Sequence, residues 1–212
     1  MSMSALTGGA SVLASHRKPG GVGSQGRLPH QHKSLLVLRN RQRACRVNTP
    51  LVRRIVRSLL TDLIGVEGYE LCVHLVATPE MVRVNETFLR HAGSTDVITF
   101  NYSVAADVRR LSNKRKKLEP PYVGCYERVH GEIFVCVDEA IRQARRFRTS
   151  WQSELVRYVV HGGLHLRGFD DQRAAARRKM KREENRLLRE LTRRFSLTKL
   201  AGAHSSPASR KS

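Results

Sequence analysis

Between residues 34 and 195 the chain alternates short β-branched or aromatic runs with longer segments that open on a capping residue and carry apolar residues at helical spacing. That alternation confines it to folds in which helices pack on a sheet, an α/β (α+β) class with one core. Strand character falls at residues 34–38, 70–77, 95–102 (TDVITFNY) and 131–137 (GEIFVCV). Thr49-Pro50 opens a helix ending near Gly65, and Thr78-Pro79 opens another reaching about Leu89. The hydroxyl caps free N–H groups, and proline has none to leave unpaired. Asp138 caps a helix to about Phe147, and Ser150 caps the next, from Trp151 to about Leu166. Residues 173–195 form a long helix whose narrow apolar stripe is Met180, Leu187, Leu188 and Leu191.

Three segments stand outside this rhythm. Residues 1–32 are rich in Ser, Gly, Ala and His, contain no acid and show no periodicity. They read as a disordered leader, with a transit peptide the weaker reading because no amphipathic Arg-spaced helix is sustained. Residues 104–128 carry Arg109, Arg110, Lys114, Arg115, Lys116 and Lys117 ahead of Pro120-Pro121, a basic insertion that reads as a solvated loop or an RNA-facing hairpin. Residues 196–212 are Ser-rich and read as a flexible tail. The folded part is thus expected to be a single domain at 33–195.

The formal net charge is +21, from 39 Lys plus Arg against 18 Asp plus Glu. A surplus of that size repels itself unless a polyanion neutralises it, so nucleic acid is the expected partner and an acidic membrane surface the weaker one. No run approaches the roughly 18–20 apolar residues of a membrane-spanning helix. Cys45, Cys72, Cys125 and Cys136 are widely spaced and form no CxxC pair, which argues against a zinc ribbon or a thioredoxin-type motif and for a reduced, cytoplasmic setting.

The chemistry concentrates in residues 159–171, VVHGGLHLRGFDD. His161 and His165 are four apart on an expected helix, so both imidazoles project from one face and can reach one ion. Taken alone, such a pair reads more readily as surface or capping histidines. Gly168 breaks the helix, and the turn after it can swing Asp171 back as a third ligand, leaving a position open for water as catalytic zinc requires. Asp170 is the rival ligand. Zinc proteases use the residue after the first histidine as general base, and here it is Gly162, which disfavours peptide hydrolysis.

HGGLHLRGFDD, TDVITF at residues 95–100 and GEIFVCVDEA at residues 131–140 together resemble the YbeY family, in this order and over roughly residues 48–190. The resemblance implies a small mixed β-sheet flanked by helices, one zinc ion per chain, and a metal-dependent endoribonuclease specific for single strands. It further implies work on ribosomal RNA and the small ribosomal subunit, in small-subunit RNA 3′-end maturation and ribosome quality control. His161 and His165 match the family's metal-binding motif; position 171 is Asp where the family has a third His. The family's arginine six residues before the Thr of TDV is Leu89 here, with Arg90 beside it.

The candidates for catalytic roles are therefore Arg90, Thr95 and Asp96, with His91 nearby; Thr95 and Asp96 also read as ties for the turn. Water activated by the metal or the ribose 2′-hydroxyl would serve as nucleophile. RNA contact is expected from Arg109 to Lys117 in the insertion and from the arginines of the last helix, by charge and shape, since aromatic residues are few. Two other readings compete: a noncatalytic ribosome-assembly factor with a structural metal, favoured by Leu89, and a metal-dependent hydrolase of small molecules or peptides.

Overall fold

The computed structural model describes residues 34–102 and 128–202. The leader at 1–32 and nearly all of the basic insertion, with Arg109, Arg110, Lys114, Arg115, Lys116 and Lys117, lie outside the described residues. A four-stranded sheet has the order β1 (Leu35–Asn40), β2 (Gly68–Val76), β4 (Arg128–Cys136), β3 (Val97–Asn101). Strands β1, β2 and β4 are parallel, and β3 runs antiparallel along β4. Helices α1 (Thr49–Ser58, continued by a π-helical turn Leu59–Leu63), α2 (Thr78–Val84), α3 (Val137–Phe147), α4 (Trp151–Leu166) and α5 (Ala174–Arg194) complete the mixed α/β fold.

Side chains alternate across a strand, so the register sorts the sheet into two faces. Leu36, Leu71 and Gly131 share one row, and Leu38, Val73, Ile133 and Thr99 the next. Leu36, Leu71, Val73 and Ile133 join Ile55, Leu59, Val159, Leu164, Leu187 and Leu191 in the main core, placing α1, α4 and α5 on this face. The other face carries His74, Phe134 and Ile98, partly covered by Met81 of α2. The expected stripe on the last helix is the buried one, with Met180, Leu187 and Leu191 at 2% exposure or less.

Several caps differ from the sequence reading. Asn48, not Thr49, caps α1, its Oδ1 accepting from the Leu51 N–H at 3.1 Å. Thr78 caps nothing with its side chain; its own N–H donates to Asp138 Oδ2 at 2.7 Å, so the acid expected to cap α3 closes the start of α2 instead. Ser150 caps α4 as expected, accepting from the Ser153 N–H. Residues 197–202 are not part of a tail: Leu197–Leu200 forms a 3-10 turn, Leu200 is fully buried, and Ala201 bridges Val47. Two leucines three apart give that turn an apolar side, and burying it outweighs the polar composition around it.

Candidate metal centre

Two glycines let α4 approach the sheet. A Cβ on Gly162 would stand 2.8 Å from Ile133 Cγ2, and one on Gly131 would stand 2.7 Å from Leu166 Cδ2 at the end of α4. The residue after His161 therefore faces the sheet, where no general base could act, and His161 and His165 take the half-buried face of the helix. Gly168, at φ +81°, ends α4 and turns the chain back, its N–H donating to the His165 carbonyl. Arg177 of α5 then fixes the loop: Nε donates to the Asp171 carbonyl at 2.8 Å and an NH2 group to that of Gln172 at 3.2 Å.

His161, His165 and Asp171 form the one His/Cys/Asp/Glu cluster of metal-binding geometry among the described residues. The two Nε2 atoms are 3.0 Å apart, and Asp171 Oδ2 lies 3.9 Å from one and 4.0 Å from the other. A point equidistant from these three atoms is about 2.1 Å from each, within the zinc–nitrogen and zinc–oxygen range. Asp170 is exposed and spends Oδ1 on the Gln172 N–H, a turn role. The donor set thus fits one divalent ion.

The outer ring nitrogens strengthen that fit. His165 Nδ1 is 3.0 Å from the Phe169 carbonyl, which can only accept. His161 Nδ1 is 3.1 Å from Glu184 Oε2. Burial raises the Glu184 carboxyl, but hydrogen bonds from His161, Lys181 and Arg157 outweigh it and hold it at about 2, so Glu184 is ionised and can only accept. Both rings therefore carry their proton on Nδ1, and two Nε2 lone pairs point at each other. Such a pair repels unless a cation sits between them, and the carboxylate–histidine arrangement is the one that orients metal ligands. Burial first, then the charge of His161, also lowers the pKa of His165, keeping it neutral and able to ligate.

A cleft of about 250 Å³ opens beside the cluster, lined by Asp96, Arg157, Tyr158, His161, Asp171, Arg177, Met180, Lys181 and Glu184. Of the sequence candidates, Asp96 is on its wall. Its Oδ1 accepts from the Val97 N–H at 2.9 Å and the Thr95 hydroxyl at 3.0 Å, so both residues do tie down the turn. Arg90 ends the turn after α2 in the left-handed region at φ +57°, exposed with His91 and off the cleft wall. Leu89 is exposed as well. Glu132, in the GEIFVCV strand, pairs with buried His74 at 2.8 Å on the opposite face of the sheet. Sequence reasoning missed Glu184, Arg157 and Lys181, since no spacing rule links them to His161; Arg177, expected among the arginines of the last helix that contact RNA, instead holds the Asp171 loop.

A mixed sheet layered by helices, with two histidines one helical turn apart and a carboxylate returned by the next turn, defines the class: a small α/β protein with a candidate metal site. The profile of the family described as endoribonuclease YbeY matches residues 37–192. Endoribonuclease YbeY of Salinibacter ruber is 32% identical over 136 residues, 63% of this chain and 79% of that protein. The namesake from Chlorobium phaeobacteroides is 35% identical over 109 residues, 51% of this chain and 64% of that protein. The solution structure of a Thermotoga maritima protein has the same fold at a TM-score of 0.52 and 19% identity, covering 81% of this chain and 99% of that one. The chain belongs to the YbeY endoribonuclease family. None of the described helices is long and apolar enough to cross a membrane.

Proposed function

We propose that this protein is a metal-dependent endoribonuclease that cuts single-stranded ribosomal RNA, binding one zinc ion through His161, His165 and Asp171. The observation that carries the reading is the pair of Nε2 atoms 3.0 Å apart, with Nδ1 of each ring against an oxygen acceptor, Glu184 Oε2 for His161 and the Phe169 carbonyl for His165. A zinc ion held there supplies Lewis acidity toward a phosphoryl oxygen and lowers the pKa of a bound water. Glu184 and the Phe169 carbonyl hold the two imidazoles in the ligating tautomer, and Arg177 fixes the loop that brings Asp171 across. The position of Asp96 on the cleft wall supports a role for it as the group that takes a proton from water or from a ribose 2′-hydroxyl.

The family resemblance and the charge of +21 support ribosomal RNA in the small subunit as substrate, 3′-end maturation and quality control as the task, and the cytoplasm as the setting. Phosphate contacts fall to the basic insertion and α5, so binding weakens steeply with salt. Incubation of metal-stripped protein with single-stranded and hairpin RNA, with and without added zinc, tests the activity. Cleavage of the single strand that needs zinc and is absent in His161→Ala/His165→Ala is the expected result; metal retained stoichiometrically by the double variant removes the site.

One observation favours a second reading, a noncatalytic assembly factor with a structural metal. The basic side chains on the cleft wall are engaged within the protein, Arg157 by Glu154, Glu184 and Asn185, Lys181 by Glu184, and Arg177 by two carbonyls. Zinc binding and RNA binding without cleavage would establish that reading.

A further inference from the structure

The cleft at the metal cluster continues past it. A second hollow of about 530 Å³ shares Asp96, Arg157, Tyr158 and Lys181 with the first and extends along Gln143, Phe147, Thr149, Glu154 and Asn185. Glu154 precedes His161 by seven residues on α4, so this arm reaches about 10 Å along the helix from the metal ligands. Its mouth carries Phe147, 62% exposed, the last residue of α3.

The backbone turns directly after that ring. Arg148 adopts the left-handed region at φ +55°, a conformation non-glycine residues rarely take, and the Thr149 N–H closes the helix on the Ala144 carbonyl. Arg146 already lays its guanidinium over the ring, 5.4 Å from the centroid. An exposed aromatic face with a planar cation over it, beside the amides of Gln143 and Asn185, is the chemistry that receives an unstacked base.

We propose that this arm is a nucleobase subsite, in which a base flanking the scissile phosphate stacks on Phe147 with its edge toward Gln143 and Asn185. The proposal rests on the ribonuclease reading for the identity of its ligand. The hollow is large enough for one base.

Equilibrium binding separates this inference from the activity. A fluorescein-labelled single-stranded oligoribonucleotide of about eight nucleotides, titrated into chelator-treated full-length protein, is compared with the same strand made abasic at each position in turn. Phe147→Ala and Phe147→Leu are expected to weaken binding about tenfold, with Phe147→Trp near wild type, because a stacking platform and not bulk is lost. One abasic position should cost the wild type a similar factor and cost Phe147→Ala nothing further. Equal affinity of all four proteins, or an abasic penalty unchanged in Phe147→Ala, overturns the subsite, and zinc-dependent cleavage by these same proteins would then leave the ribonuclease reading standing. Phe147-dependent binding without any cleavage supports the subsite and sinks that reading instead; no binding of RNA sinks both.

Discussion

Glu184 Oε2 accepts the Nδ1–H of His161 at 3.1 Å, across the interface between the fifth helix and the fourth. The acid is 4% exposed and also binds Arg157 at 2.9 Å and Lys181 at 2.7 Å. Replacing the carboxylate by an amide keeps the volume and removes the charge that holds the ring. Glu184→Gln is expected to weaken zinc affinity 10- to 100-fold, the usual cost of losing such an outer partner, measured by competition with a chromogenic chelator. Unchanged affinity would mean that His161 is oriented by something else.

Asp171 and Asp170 are adjacent but do different things. Asp171 Oδ2 lies within 4.0 Å of both Nε2 atoms, whereas Asp170 caps its own turn. Asp171→Ala should abolish tight zinc binding, Asp171→His should preserve or tighten it, and Asp170→Ala should leave it within a few-fold of wild type. Isothermal titration with zinc on the three variants decides this, and a larger loss in Asp170→Ala than in Asp171→Ala would exchange the roles.

Gly162 is held to a hydrogen atom by the sheet beneath it. In Gly162→Ala the new methyl meets Ile133 Cγ2 at 2.8 Å and both Ile133 Cδ1 and Thr99 Oγ1 at 3.1 Å, on atoms buried between layers. The expected cost is roughly 1–3 kcal/mol, the range for overpacking. It should appear as a melting temperature lower by several degrees, with zinc affinity reduced because α4 carries both histidines away from the loop. A melting temperature equal to wild type would show that the helix lifts without strain.

Acid should unfold the metal-free protein in two stages. Burial first, opposed by Glu132, lowers the His74 pKa, and burial likewise lowers that of His165, so the fold holds both neutral. The unfolded chain binds those protons near pH 6.5, and stability present above that value is lost as pH falls through the lower folded values. Glu184, at about 2 in the fold and near 4.3 unfolded, adds a second loss between about pH 4.3 and 2. Urea midpoints from pH 8 to 3 measure both; His74→Gln should flatten the upper stage and leave the lower, and a midpoint constant from pH 7 to 5 would refute the first.

Local rules carried the sequence a long way. Ser150 capped its helix as read, the TDVITF and GEIFVCV runs became the paired strands β3 and β4, and the stripe from Met180 to Leu191 became the buried side of α5. These are legible because periodicity and capping act between residues a few positions apart. The H-x3-H pair is legible for the same reason, one helical turn being a local distance. Arg90 shows the limit: its place beside Leu89, where the family has an arginine, made it a catalytic candidate, but it ends a left-handed turn, exposed and off the cleft wall.

Local patterning along the chain fixes the set of elements and the two histidines that face one way. Tertiary structure alone decided that Asp138 closes the start of a helix 60 residues upstream, that residues 197–202 join the core, and that Glu184, 23 residues past His161, sets its tautomer. Each of these is a contact between groups on different elements, whose pairing follows from how apolar faces stack and from which buried polar groups need partners. No spacing along the chain encodes such a meeting, because it exists only once the layers have closed.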